Sequence, residues 1–423
     1  MASLQIAIIG AGPVGCTLAR LLSVSVPSVS VTIYESDSSP NFRSQGGTLD
    51  LHPKSGLAAI RDAKLEQQFR KFARLDGDYV LMCDKDLKTL LTFGPSGKGD
   101  LERPEIDRSD LRKILAESLP EGTIKWGHHL TRLEPDGETR KTLIFKDGST
   151  ATGFDLVVGA EGAWSKVRTF ITEIKPYYSG VAYHTFNIPD PKTRAPGLHK
   201  LVNGGNVFAS NTHQKLSVQQ MGDGSLHVGY SMVRPESWQD PASEDSCGYD
   251  VHDLEATRHD ILKAMADWDP RLREAILKVQ GKVDTRNLYM LPADFTWEHK
   301  AGVTLIGDAA HVMTPFAGEG VNVGLNDARH LAAAIKRSIE TGSSLEAEVE
   351  KAEKAMFPRM NKFQKMTESL MNLWMFSDDV HTVIPQVVME HVTLDLPWLL
   401  HPLLWVGVNG WWTAKTLKDS IIG

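Results

Sequence analysis

The chain has 423 residues, 41% hydrophobic and 23% charged, with a formal net charge of −7. Its length predicts two domains plus an appendage, and an acidic balance with no basic block argues against a nucleic-acid partner. Cys16, Cys83 and Cys247 are widely spaced without metal-ligand spacing and read as reduced thiols. No signal-peptide pattern precedes the first strand, so the expected location is cytoplasmic.

The stretch IAIIGAGPVGCTLARLL, Ile6 to Leu22, reads as a strand, a glycine turn and a helix. Gly10, Gly12 and Gly15 form G-x-G-x-x-G: the first permits the tight turn, the second leaves room for a pyrophosphate, and the third lets helix and strand approach. Pro13 and Val14 open the helix, whose free N–H groups and positive dipole end face the phosphates. The second strand, VSVTIYE, ends in Glu35, where an acidic side chain accepts from a ribose hydroxyl.

GGTLDLH, Gly46 to His52, then gives a turn and a short strand, and YVLMCDKDLKTLLTF a hairpin around Asp84 to Asp86. After the connection GPSGKGD, EIDRSDLRKILAESL predicts a helix capped by Ser109 or Asp107, with Leu111, Ile114 and Leu115 on one face. TIKWGHHLTRLEPDG and KTLIFKDGST alternate as strands do, and FDLVVGAEG is a buried strand reaching a second glycine turn. From Tyr183 to Val233, short alternating runs separated by NGGN, NTHQ and GDGS predict an antiparallel sheet, followed by a helical stretch from Leu254 to Val279.

VTLIGDAAH, Val303 to His311, returns to a buried parallel strand, and GVNVGLNDARHLAAAIKRSI is a helix. The expected class is therefore α/β, a Rossmann-like nucleotide domain (1–75, 101–175 and 286–340) interrupted by an antiparallel-sheet substrate domain (76–100 and 176–285). A bridging amphipathic helix (341–375) and an apolar tail (376–423) complete the chain. Within the tail, Leu396 to Ala414 carries no Asp, Glu, Lys or Arg. Three placements stay open for it: packing on the protein or a dimer partner, lying in a membrane interface through its tryptophans, or spanning, against which Pro397, Pro402, Gly407 and Gly410 argue.

The late turn GDAAHVMTPFAGEGVN places the Asp308 carboxylate where a polyhydroxyl chain could bind, with Pro315, Gly318 and Gly320 keeping backbone close to a flat ligand. A ligand spanning both turns carries a pyrophosphate at one end and a polyol plus ring at the other, which fits FAD better than NAD.

Three motifs together carry a resemblance: the glycine turn with Glu35; DLVVGAEGAWSKVR, Asp155 to Arg168; and GDAAHVMTPFAGEGVNVGLNDA, Gly307 to Ala328. Over nearly all of residues 1 to 375 the chain resembles the single-component flavin-dependent aromatic hydroxylases, the family of para-hydroxybenzoate hydroxylase. Within it, GGTLDLH and EIDRSDLRKIL look most like the tetracycline-inactivating flavin monooxygenases. The resemblance implies that NADPH reduces bound FAD and that O2 gives a C4a-hydroperoxide. This would hydroxylate a phenolic or enolic polyketide-like substrate, tetracycline-type compounds included, in biosynthesis or in drug inactivation.

It also implies roles for residues. Glu35 would bind the adenosine ribose, Arg112 the phosphate and ribityl region, and Asp308 a ribityl hydroxyl. Gly47, Pro315, Gly318 and the helix opening at Gly320, Val321 and Asn322 would line the cofactor. Arg43 is a cation that could meet the nicotinamide cofactor or pair at the surface. Glu161 stands where the family usually has aspartate and would keep that turn's acidic role. Gln219 and His227 are candidates for a polar rim around the substrate, with Lys200 and Asn206 as further candidates; His311 reads as support for its loop. Two other functions remain open: a flavin oxidase or reductase that transfers no oxygen, and a flavoprotein docked to a membrane or partner by its tail.

Overall fold

The computed structural model describes residues 3–39, 46–75, 77, 79–94 and 103–422. Arg43 and residues 95–100 of the GPSGKGD connection lie outside them. Gln5–Ile9 is the central strand of a five-stranded parallel sheet, between Ser30–Tyr34 and Leu156–Gly159; beyond the latter lies Val303–Leu305. Both faces of this sheet are covered, which explains the unbroken apolar run. Ile6 and Ile8 face one core with Leu18, Leu22 and Leu325, whereas Ala7 and Ile9 face another with Leu143, Phe145 and Met356.

A seven-stranded sheet forms the second layer, in the order Gln280–Met290, Tyr177–Ile188, Leu226–Val233, Gln214–Gln220, Asn206–Asn211, Val80–Asp84 and Thr89–Phe93. The hairpin expected around Asp84 enters it by pairing Val80–Asp84 in parallel with Asn206–Asn211. Two features differ from expectation. Strand Gln280–Met290 runs across the 285/286 boundary, because its pairing with Tyr177–Ile188 continues to Met290 opposite Tyr177. The stretch read as all strand contains helices Pro191–Arg194 and Pro196–Val202, each opened by a proline in its first turn.

Leu216, Val218, Val228 and Tyr230 bury one face of this sheet against Leu198, Ile261 and Leu272. Alternation turns Lys215, Ser217, Gln219 and His227 to the opposite face, toward the nucleotide layer. The 31-residue helix Leu345–Met375, capped by the Ser344 hydroxyl accepting from Ala347 N, joins the layers. Its Met356 and Met360 enter the core of the first, and Met366, Leu370 and Trp374 that of the second.

Helix Arg108–Glu117 begins after Asp107, but that carboxylate accepts from Gly222 N at 3.1 and 3.2 Å instead of capping, and Ser109 lies inside the helix. The expected cap is thus a tie between domains. In the tail, His401–Ile422 is one continuous helix, because Pro402 falls in the first turn, where its missing N–H is tolerated. Trp412 is buried with Leu90, Leu91 and Trp374, and Lys415 Nζ donates to Thr89 O at 3.1 Å. One face therefore packs on the protein, while Leu403, Val406 and Leu417 stay exposed. No helix among the described residues is long and apolar enough to cross a membrane, which removes the spanning placement.

Candidate functional site

The glycine turn is built for backbone approach. Gly10 has φ 103°, and a side chain there would put its Cβ 2.5 Å from Ala160 O; one at Gly15 would collide with Gly10 O. At Gly12 a Cβ would meet nothing within 4 Å, leaving a cradle beside the helix N-terminus. Val14 sits where a Cβ on Gly307 or Gly324 would come within 3.1 or 2.7 Å of it, so the first helix, the Gly307–Asp308 turn and helix Gly320–Thr341 converge there.

Glu35 Oε2 accepts from Ala11 N at 2.6 Å, and Oε1 from Asp37 N at 2.8 Å and the Ser36 hydroxyl at 3.0 Å. The carboxylate is held against the turn, with lone pairs remaining for a ribose hydroxyl. Arg112 Nη2 donates to Asp37 Oδ2 at 3.0 Å, while its Nε and Nη1 are buried without a protein acceptor. Buried donors of this kind call for an acceptor, and a phosphorylated ligand supplies one. The cradle at Gly12 and these two donors fit FAD.

Glu161 Oε1 accepts from Ser165 Oγ and Val167 N, both at 2.8 Å, which secures the start of helix Lys166–Ile171; its Oε2 is buried and unpartnered, and burial raises its pKa. Arg168, for which the sequence suggested no role, donates from Nη1 to Ala309 O at 2.9 Å and from Nη2 to Ala163 O. It clamps the two motif turns together. Behind them, His311 Nε2 meets Asp327 Oδ2 at 2.5 Å, and Asp327 Oδ1 accepts from Arg359 at 2.8 Å. Burial disfavours a charged His311, but Asp327 outweighs it and raises the pKa, so this histidine braces the loop.

Asp308 and Arg108 both keep exposed side chains, yet desolvation raises the first pKa and lowers the second. Each is surrounded by protein while part of its surface stays accessible, as at the wall of a cleft. Arg108 lies within electrostatic reach of Asp308 on the Gly-Asp turn and of Tyr183 and Arg286 on the sheet. Pro315 and Gly318 are exposed beside this cleft, and a Cβ on Gly318 or Gly320 would meet nothing within 4 Å. Val321 packs against the first core. Asn322 is buried: its Oδ1 accepts from His52 N at 2.8 Å and its Nδ2 donates to Asp50 O at 2.9 Å, so its side chain staples the helix start to the 50–55 loop.

Gln219 and His227 are direct partners across adjacent strands and share the cleft face. Both abut the glycine pair after residue 45: a Cβ on Gly46 would lie 2.7 Å from His227, and one on Gly47 3.4 Å from Gln219 Oε1. His227 Nδ1 is 3.1 Å from Asn187 Oδ1; burial, then Arg108 and Arg286, push its pKa down to about 4 and keep it neutral. Asn206 stands directly opposite Gln219 on the same sheet face, but its amide is already engaged. It is buried with Nδ2 donating to Glu105 Oε1 at 2.6 Å, while Arg74 holds Oε2 at 2.6 Å, an interdomain tie. Lys200 is exposed on helix Pro196–Val202, which packs against the opposite sheet face. Residues missed by sequence reading are Arg108, Tyr183, Lys215 and Arg286; the Arg286 guanidinium lies 5.3 Å from the Tyr183 ring centre.

A glycine-turn dinucleotide site, a Gly-Asp turn and a facing antiparallel sheet define a flavoprotein of the hydroxylase class. Residues 3–356 match the family model described as an FAD binding domain, and the chain belongs to this family of FAD-dependent monooxygenases. It is 32% identical over 375 residues to "Monooxygenase asqM" of Emericella nidulans, covering 79% of this chain and 84% of that one. It is 30% identical over 408 residues to "Monooxygenase penA" of Penicillium thymicola, covering 86% and 93%. Among solved structures, tetracycline destructase Tet(55) superposes with a TM-score of 0.67 at 18% identity, covering 93% of this chain and 97% of that one, a likeness of fold.

Proposed function

We propose that the protein uses NADPH and O2 to hydroxylate a phenolic or enolic polyketide-like compound held between the antiparallel sheet and the Pro315–Gly320 loop. What supports this reading is that Gln219, His227 and Tyr183 share one sheet face, with the Gly46–Gly47 pair against Gln219 and His227 and with Arg108, beside Asp308, within electrostatic reach of His227 and Tyr183. When bound, FAD supplies hydride acceptance and oxygen activation. The chain's residues bind and orient it. Gly12 and Glu35 would hold the adenosine diphosphate half, Arg112 the phosphate and ribityl region and Asp308 a ribityl hydroxyl, and the positive end of helix Gly320–Thr341 would favour negative charge on the ring.

Neutral His227 offers one donor and one acceptor, and the Gln219 amide offers both, so the pair suits the polar edge of a fused-ring phenol. The sheet excludes water, which suppresses wasteful peroxide release. The test is oxidation of NADPH, with NADH in parallel, by the FAD-loaded chain against a panel of phenols and β-diketones that includes tetracycline, with mass analysis of products. Compound-dependent oxidation with one added oxygen atom is expected. Peroxide in stoichiometric yield with no oxygenated product across the panel would overturn the reading in favour of an oxidase.

A further inference from the structure

Lys215 projects from strand Gln214–Gln220 on the cleft side, in register with Ser210 and Ser231 on the flanking strands. Its Nζ lies 4.2 Å from the ring centre of Trp374, 5.5 Å from Phe208 and 5.6 Å from Phe316. These rings come from the bridging helix, the neighbouring strand and the Pro315–Ala317 turn, so the amine sits where sheet, helix and flavin loop meet. Among the described residues Lys215 Nζ makes no hydrogen bond or ion pair. Among the described residues no carboxylate is paired with it: Ser210 and Ser231 flank it on the sheet, and His391, within reach of Arg103 and Glu390, feels its charge. The rings offer the ammonium cation–π contact but no anion, so its N–H donors remain available to a ligand oxygen.

We propose that Lys215 is the group that takes the proton from the substrate's acidic hydroxyl and then holds the resulting oxyanion on the side of the amine not covered by Trp374, Phe208 and Phe316. The inference rests on the hydroxylation reading above for the class of substrate. The O–H bond breaks, the lone pair on Nζ takes the proton, and the electron pair stays on oxygen. From there it delocalises onto the ring carbon that accepts the new oxygen atom, and the proton returns when the product's hydroxyl re-forms. Desolvation by the surrounding rings pushes the pKa of this half-buried amine down to about 7, so that a sizeable neutral fraction exists near neutral pH. A lysine serving only as a packing cation would instead stay protonated and ignore the ionisation of a ligand.

The experiment uses 4-nitrophenol, whose phenolate absorbs at longer wavelength than the phenol, added to the full-length FAD-loaded protein at pH 6. The wild type is expected to bind it as phenolate, shown by a difference band above free probe. Lys215→Met should lose that band and bind the anion roughly 10- to 150-fold more weakly, the span of one charged hydrogen bond. Lys215→Arg, a permanent cation, should recover anion binding but not the proton uptake that accompanies phenolate binding by the wild type at pH 8, and equal uptake by both overturns the proton-accepting role. FAD content and melting temperature establish folding, and Lys215→Met is expected to melt no lower than wild type at pH 6, because it removes an unpaired buried charge. No phenolate band from the wild type, or an equal band from Lys215→Met, overturns the proposal. A Lys215-dependent band together with peroxide and no oxygenated product across the panel would instead retire the hydroxylation reading and leave the anion site standing.

Discussion

Around the glycine turn and the Gly307–Asp308 turn, recognition is done by main chain: Gly10, Gly12 and Gly15 present bare backbone, and Arg168 and Asp327 hold other backbone in place. On the antiparallel sheet it is done by side chains standing on a regular ladder, Tyr183, Lys215, Gln219 and His227. The two surfaces should therefore respond to mutation differently. In the first, an added atom at Gly10 or Gly15 strikes backbone that cannot move. In the second, side chains can be exchanged above an intact ladder, so ligand choice changes before fold does.

The largest expected effect tests the first half of that comparison. Gly15→Val forces a side chain against Gly10 O and should cost more than about 4 kcal/mol, read as loss of the cooperative unfolding transition and of FAD. Gly12→Val, where no protein atom stands within 4 Å, should leave melting of the apoprotein near the parent's while abolishing FAD binding. A Gly12→Val protein that keeps parental FAD affinity would break the distinction between a structural and a ligand-facing glycine.

Next in size is Asp308→Ala. A charged hydrogen bond to a ribityl hydroxyl contributes about 1.5–3 kcal/mol, so FAD affinity should fall by that amount, measured by titration of the apoprotein. Smaller effects are expected on the sheet. Gln219→Ala and His227→Asn should each raise the substrate KM or lower coupling by about tenfold, the worth of a typical hydrogen bond or slightly more, with FAD content unchanged. Parental KM and coupling in both variants would place the polar grip elsewhere on the sheet.

The same contrast explains what was legible in the sequence. Gly10, Gly12, Gly15 and Glu35 lie within 26 residues, and their chemistry follows from local spacing, as does the 345–375 helix from its periodicity. The sheet face depends on register, which alternation leaves open by one residue; the pairing of Gln219 with His227 resolves it. Lys215 had no local signal at all, because its cage is assembled from positions 208, 316 and 374. Arg112 was expected at the cofactor by resemblance, whereas Arg108, one helical turn earlier, carried no such expectation. Arg112 meets Asp37, while Arg108 reaches the field of Asp308 and Tyr183. The prolines read correctly against one straight helix over Leu396 to Ala414: the helix starts only at His401, after the 3-10 turn Trp398–Leu400, with Pro402 accommodated in its first turn.

The smallest expected effect concerns pH and sets one histidine from each side of the molecule against the other. His299, beside the nucleotide layer, is opposed by burial but wedged between Glu353 at 2.8 Å and Glu346 at 3.0 Å, which together raise its pKa. A base with a raised folded pKa stabilises fully below its unfolded value near 6.5, and that stabilisation is lost as pH rises through the folded value. His227 on the sheet face is shifted the other way, to about 4. The unfolded chain then binds a proton that the folded one refuses, so stability falls as pH drops from about 6.5 to about 4. Replacing each by glutamine and comparing melting temperatures with the parent at pH 5 and pH 8 isolates these contributions, since contact losses are common to both pH values. His299→Gln should be more destabilising at pH 5 than at pH 8, and His227→Gln less so. Shifts of the same sign in both variants would show that His227 is paired with a carboxylate in solution, and that the sheet face is not the desolvated, cation-bordered surface on which neutral substrate recognition depends.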